Sequence, residues 1–357
     1  MSRAPLFVTR KFPPSVGGME TLAAGVWRSI RHTRPDALLL AHGGKNTALV
    51  WWLPLTVLRV LGLILRRRVE LVLTGDALTY AVLWPVLKLA RVPSATMVMG
   101  LDVTFDNGLY RALTRPPLRD AAHVLAISAA TAEQSVAAGV SKARVTVVRL
   151  GVEEPALSSL TRQDARHQVR ARLGLPDDAV LLLTLGRLVP RKGVRWFAAE
   201  VLPGLPPSVH YVVAGDGPDA EALRSAGDRV HLVGRVPDEE REQLLRGCDL
   251  FVQPNIAVPG DMEGFGLVTV EAAMRDLTVV AADLEGIKDA VVDGVTGVLV
   301  PSGDAPAWLA VLGPLLATPK ALEAQGLAYG EKARTLYSEA QMGEALCAAL
   351  GLSPLDG

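Results

Sequence analysis

Eleven short apolar runs alternate with helix-length segments along this chain, and that alternation limits the possible folds more than any other feature. In the first half the runs are Leu6–Thr9, Ala37–Ala41, Glu70–Thr74, Ala95–Met99, His123–Ile127 and Val145–Val148. In the second they are Val180–Thr184, Val209–Ala214, Val230–Val233, Leu250–Gln253 and Thr278–Ala281. Apolar runs of this kind, bounded by helical patterns, predict parallel strands buried on both faces by helices. Between the two sets, Glu154 to about Leu175 turns polar and helix-prone and ends in Gly174-Leu175-Pro176-Asp177, a stop-and-turn signal. The expectation is an α/β protein of two doubly wound domains, 1–160 and 165–330, facing each other across a deep cleft at the carboxyl ends of their strands. The amphipathic stretch from about Ala328 to Leu350 is expected to cross back, so that 331–357 joins the first domain.

A length of 357 residues, half of them apolar, suffices for two cores of ordinary size. Cys248 and Cys347 are the only cysteines, too few for a disulfide framework, and a cytoplasmic setting is expected. Arg3, Arg10, Lys11 and prolines 5, 13 and 14 interrupt the start of the chain, so no signal peptide is expected there. The net charge of zero hides an asymmetry: residues 1–160 carry 19 Lys and Arg against 10 Asp and Glu, the remainder 18 against 27. A basic half either faces an anionic partner, such as a membrane surface, or complements its acidic neighbour. Ala48–Leu65, rich in leucine and carrying Trp51 and Trp52, runs into Arg66-Arg67-Arg68. Pro54 and Arg59 argue against a bilayer span. Peripheral contact with an anionic membrane is the favoured reading, and a buried sheet-covering helix the competing one.

Chemistry-bearing residues gather after the second-half strands. Gly186 allows a sharp exit from Val180–Thr184, and the loop then presents Arg187, a fork donor, and Lys192, a point charge, a combination suited to a diphosphate. Gly215-Asp216-Gly217-Pro218 and Gly234-Arg235-Val236 follow the next two strands. Finally, Glu263-Gly264-Phe265-Gly266-Leu267 leads into a helix carrying Glu271. Its glycines permit close backbone approach, and the helix start offers free N–H groups to an anion. Two carboxylates flanking an anion site fit a sugar diphosphate joined to a ribose. A helix cap with a solvent-facing Glu is the plainer alternative for that spacing taken alone.

In this order, these motifs resemble those of the retaining nucleotide-sugar glycosyltransferases of family 4, of the GT-B fold with two Rossmann-like domains. The match covers most of 180–300. It extends more loosely to Pro13-Pro14-Ser15-Val16-Gly17-Gly18-Met19-Glu20, Gly100-Leu101-Asp102 and Ala126-Ile127-Ser128-Ala129-Ala130-Thr131. The resemblance implies transfer of a hexose from a nucleoside diphosphate sugar to a hydroxyl of a glycan, lipid-linked or small-molecule acceptor. Arg187 and Lys192 would hold the diphosphate and stabilise the departing charge. Glu263 would bind donor-sugar hydroxyls near the Phe265, Gly266 and Leu267 amides, Glu271 the ribose, and Arg235 would flank the base. Gly17 and Gly18 would let a loop close over the phosphates. All four charged groups are expected on the C-terminal lobe. No cofactor, metal or nucleic acid is implied, and none of the six histidines stands at ligand spacing from another.

One position departs from the pattern. Where many relatives have His-Gly-x-Asp, this chain has Met99-Gly100-Leu101-Asp102, and methionine neither titrates nor donates a strong hydrogen bond. Asp102 is expected at the acceptor edge, with turn-capping as its alternative, and Asn107, Tyr110 and Arg111 as weaker acceptor contacts. The substitution at Met99 motivates a second reading, a non-catalytic nucleotide-sugar sensor or scaffold. A third is another enzyme on the same fold, such as an epimerase or phosphorylase.

Overall fold

The computed structural model describes residues 3–15, 17–155 and 160–353, so Val16 of the first glycine-rich motif and 156–159 of the junction lie outside the described residues. Two compact units result. The first comprises Met1–Glu153, Gly260–Phe265 and Tyr337–Gly357, and the second Glu154–Pro259 and Gly266–Leu336.

The first unit begins β1 (Ala4–Thr9), α1 (Gly18–Thr33), β2 (Leu38–Ala41), α2 (Leu49–Leu65), β3 (Val69–Thr74), α3 (Ala77–Ala90) and β4 (Ser94–Val98). It continues α4 (Leu101–Thr104), α5 (Gly108–Asp120), β5 (His123–Ala126), α6 (Ala129–Ala137) and β6 (Val145–Val147). The strands are all parallel, in the order β2-β1-β3-β4-β5-β6. β1 therefore has its successors on opposite sides, which opens a crevice beyond the ends of β1 and β3. Local chemistry starts the helices: Asp76, Asn107 and Ser128 cap α3, α5 and α6 through side-chain acceptors. α2 is the crossover between β2 and β3. Val60 on one face is fully buried, with Trp52, Val57, Leu63 and Ile64 packed against the same core, while Trp51, Leu58 and Leu65 on the other are exposed.

The second unit runs α7 (Arg162–Leu173), β7 (Val180–Leu185), α8 (Val194–Trp196), β8 (Val209–Ala214), α9 (Ala220–Arg224), β9 (Val230–Gly234), α10 (Asp238–Gly247) and β10 (Leu250–Gln253). α11 (Leu267–Ala273), β11 (Thr278–Asp283), α12 (Ile287–Ala290), β12 (Val298–Pro301), α13 (Ala305–Ala317) and α14 (Pro319–Leu336) complete it. This sheet is parallel too, ordered β12-β11-β10-β7-β8-β9, so its order reverses between β7 and β10. β12 is a strand the apolar pattern did not reveal: it is a four-residue edge with little burial. The chain ends with α15 (Glu339–Leu350) packed on α1 in the first unit.

Two expectations are corrected here. The stretch 328–350 is two helices, broken where Val152 N donates to the Tyr337 carbonyl (2.7 Å) and Ser338 starts a fresh helix by capping Gln341 N (3.2 Å). Only the part from Tyr337 onward belongs to the first unit. Residues 260–265, expected within the 165–330 domain, also group with the first unit. The reason is close backbone approach: a Cβ on Gly264 would overlap the Met99 carbonyl oxygen, and Phe265 meets Tyr337 edge-on with ring centroids 6.2 Å apart.

Candidate functional site

In the second unit, three loops lock together beyond the carboxyl ends of β7, β8 and β9. Gly186 N donates to the Ala214 carbonyl (2.9 Å), Gly215 N to the Gly234 carbonyl (2.8 Å), and Leu188 N to the Asp216 carbonyl (2.9 Å). Gly215 must be glycine for this packing, because any Cβ there would overlap the Gly186 carbonyl oxygen. Arg187 stands exposed at the loop's start. Lys192 is buried, and its Cε lies 3.9 Å from where a Gly186 Cβ would be. The Lys192 loop docks on the segment after β10, where Ile256 N donates to the Arg191 carbonyl (3.0 Å) and Gly193 packs under Pro254. Arg187 and Lys192 thus flank the β7–β10 reversal, where an open α/β sheet has its crevice.

Arg235 is exposed, 3.6 Å from Asp216 across the loops, and Val236 follows it before α10. Gly266 precedes the first residue of α11, Leu267, and the Gly266 carbonyl accepts from Thr269 N (2.9 Å) and Thr269 Oγ1 (2.7 Å). Glu271, one turn further, is buried and paired with Arg241 of α10. Burial raises its pKa, while Arg241 and Arg275 pull the other way. The solvent-facing alternative for Glu271 is thereby set aside. Arg241 was not found from the sequence; an acidic residue 30 positions away has no linear signal.

In the first unit the acidic loop packs on the departing position. Gly264 lies against Met99 and Gly100, where a Gly100 Cβ would sit 3.4 Å from the Gly264 Cα. Glu263 and Phe265, on either side, are buried with it. Glu263 therefore belongs to the first unit and Glu271 to the second, which corrects the expectation of four charged groups on one lobe.

Asp102 is buried, accepting from Met99 N (2.8 Å) and Ala77 N (3.3 Å), so it ties the end of β4 to the start of α3. Burial pushes its carboxyl up to about 6, opposed by the Met99 amide. Beside it, Asp76 is fully buried, accepts from Leu78 N, Thr79 N and Thr79 Oγ1, and receives Arg10 Nε at 2.9 Å. Arg10 follows β1 and Asp76 follows β3, so this ion pair bridges the crevice of the first sheet. Tyr110 completes the cluster: burial, then Asp102 and Asp76, hold its phenol above its ordinary value. Arg10 and Asp76 were missed because they come from loops 66 residues apart; the one local signal that could have drawn attention to Asp76 is its place just before a helical pattern, as a helix cap. Asn107 caps α5 by accepting from Tyr110 N (2.9 Å), and Arg111 pairs with Asp106 (2.9 Å). Gly18 opens α1 with open space where a Cβ would stand, while Gly17 lies against Glu20, itself buried and 3.4 Å from Lys11. Among the described residues, no three His, Cys, Asp or Glu side chains cluster for a metal ion.

Residues 179–318 match the family model for Glycosyl transferases group 1. A D-inositol 3-phosphate glycosyltransferase of Mycolicibacterium gilvum is 37% identical over 188 residues, 49% of this chain and 39% of the relative. The chain thus spans about two fifths of the length of that relative. A GDP-mannose-dependent alpha-(1-6)-phosphatidylinositol monomannoside mannosyltransferase of Mycolicibacterium smegmatis is 29% identical over 360 residues, 90% of this chain and 92% of the relative. Among solved structures, Anabaena Alr3699/HepE in complex with UDP superposes with a TM-score of 0.78 at 19% identity, covering 98% of this chain and 99% of that one. Sucrose-phosphate synthase from Thermosynechococcus elongatus gives 0.75 at 20% identity, over 97% and 98%. The two parallel six-stranded sheets are those of the GT-B fold. The segment carrying the interlocked loops, residues 179–318, is thus similar to the group 1 glycosyl transferases, and the fold around it is that of the GT-B enzymes.

Proposed function

We propose that this protein is a retaining, metal-independent hexosyltransferase of family 4 that moves a sugar from a nucleoside diphosphate to an acceptor hydroxyl. The observation that carries the reading is the β7–β10 crevice, where a buried lysine and an exposed arginine stand on loops locked by backbone hydrogen bonds. Donors fixed before the reaction stabilise a departing diphosphate without reorganising. Glu271, held by Arg241, would take ribose hydroxyls, Arg235 and Val236 the base, and Glu263 the donor-sugar hydroxyls. The Phe265, Gly266 and Leu267 amides would serve the phosphates, under a closing Gly17–Gly18 loop. The bond from the anomeric carbon to the phosphate oxygen breaks, its electron pair leaving with the diphosphate. The acceptor oxygen bonds to the same face, and its proton passes to a leaving phosphate oxygen. In this mechanism no side chain acts as a base, so methionine at position 99 is compatible with turnover.

On the acceptor side the reading uses Asp102, Tyr110 and Asn107 together with the Arg10–Asp76 pair, for a glycan, lipid-linked or small-molecule hydroxyl. A cytoplasmic setting is part of the proposal, in keeping with two buried, unpaired thiols. Similar proteins include one whose crystal structure is in complex with UDP-glucose and one that is GDP-mannose-dependent, so both donors belong in the test. Thermal unfolding with UDP-glucose, GDP-mannose and ADP-glucose should show stabilisation by at least one, since a ligand of the folded state raises the midpoint. Lys192→Ala should abolish that shift and lower turnover about a hundredfold or more. No shift with any donor, or an unchanged shift in Lys192→Ala, overturns the assignment.

A further inference from the structure

The outward face of α2 is apolar, and no other element among the described residues covers it. At about 100° per residue, Trp51, Leu55, Leu58 and Leu65 fall within about 40° of one line along the helix. Trp51 is 81% exposed, Leu58 65% and Leu65 74%. Val60, fully buried, lies on the opposite side. Arg59 and Arg66, seven residues apart and both exposed, border the stripe about 60–80° to one side. No acidic residue occurs from 37 through 69. An apolar stripe edged by cations alone is the pattern of a helix lying in a bilayer interface.

We infer that α2 anchors the first unit in the plane of an anionic bilayer, its leucines and Trp51 among the acyl chains and Arg59 and Arg66 on lipid phosphates. Asn46–Leu65 is long and apolar enough to cross a membrane, with a mean hydropathy of 2.0. Crossing is opposed by the topology: β2 and β3, at the two ends of α2, are parallel strands of one sheet. The helix must return along that sheet, and pulling it away would strip Val60 and Trp52 from the core. A second copy fits less well, because a two-fold interface places a patch against itself and would oppose like charges. The inference is independent of the donor reading.

Sedimentation with vesicles of about three parts phosphatidylcholine to one part phosphatidylglycerol tests it. The protein should partition onto these, several-fold less onto pure phosphatidylcholine, and less as salt rises. Arg59→Gln and Arg66→Gln should each weaken binding to anionic vesicles about fivefold. The combined variant Trp51→Ser/Leu55→Ser/Leu58→Ser should lose at least tenfold on either vesicle. Thermal unfolding of each variant checks that the fold survives, and the salt series needs no variant at all. Failure to sediment at low salt, binding indifferent to lipid charge and salt, or unchanged binding by the variants overturns the anchor. So does a concentration-dependent dimer that the triple variant abolishes.

Discussion

Asp102 keeps its carboxylate against two backbone amides with almost no access to water, and this has a consequence for pH. Its pKa is raised from 3.8 to about 6, chiefly by burial, so the folded state binds the proton more tightly than the unfolded chain. The resulting stabilisation is present in full below about pH 4 and is lost as pH rises through about 6. Two units correspond to about 3 kcal/mol. Measured by urea unfolding, the stability of the parent relative to Asp102→Asn should therefore fall by about that amount between pH 4 and pH 7. A gap that stays constant would show that Asp102 does not titrate in this window. Glu271 is a second case, held above its ordinary value by burial while Arg241 pulls the other way. Arg241→Ala should cost about 2 kcal/mol, less than a fully buried pair because the arginine side chain keeps 28% of its surface in water. Unchanged stability in that variant would mean that Glu271 has another partner or is protonated. The residues legible in the sequence were those on short linear motifs: Arg187, Lys192, Glu263 and Glu271. Arg10, Asp76 and Arg241 become partners only through strand order and helix packing, which no local spacing encodes.

Among the elements, the β7, β8 and β9 exits act as one body, and the glycines within them are not equivalent. A Cβ at Gly215 meets the backbone oxygen of Gly186, which cannot rotate away, whereas nothing lies within 4 Å of a Cβ on Gly18. Gly215→Ala should thus cost about 3 kcal/mol or more, a backbone clash having no side-chain escape. Gly18→Ala should leave stability unchanged or raise it by up to about 1 kcal/mol through the unfolded state. Lost turnover in Gly18→Ala at intact stability would tie that glycine to ligand and not to the fold, and equal unfolding midpoints for the two variants would contradict the packing argument. Most strands were readable because buried parallel strands are apolar on both faces: Val209–Ala214 and Leu250–Gln253 end where the apolar runs end. β12 was not, because a short edge strand has only one neighbour to bury it. Nor was the division of α2 into a packed and a bare face, since leucine occupies both.

At the scale of the molecule, the polypeptide leaves the first unit after Glu153 and closes it only with residues from Tyr337 onward. The joint is specific: Arg28 of α1 is bidentate to Glu339 of α15, with Nε–Oε2 at 2.9 Å and Nη2–Oε1 at 2.6 Å, and it also reaches Glu153 at 3.1 Å. Glycines allow the helices to approach, since a Cβ at Gly343 would lie 2.7 Å from the Ser29 carbonyl oxygen and one at Gly25 3.2 Å from Glu339 Oε1. A leucine at 343 has no room between two helix backbones and would push α15 off α1, exposing Met342, Leu346 and Leu350, all buried in the intact unit. Overpacking of this sort costs about 1–3 kcal/mol, and loss of the docked helix more. Gly343→Leu should consequently lower the unfolding midpoint by several degrees, while Arg28→Ala, at an exposed pair, should cost no more than about 1 kcal/mol. Because Gly343 belongs to the first unit, while Lys192, Arg187 and Glu271 belong to the second, the part of the donor thermal shift that these three carry should persist in Gly343→Leu, whereas turnover falls. If turnover and donor stabilisation disappear together, the two units fold as one cooperative body and the terminal helix supports both.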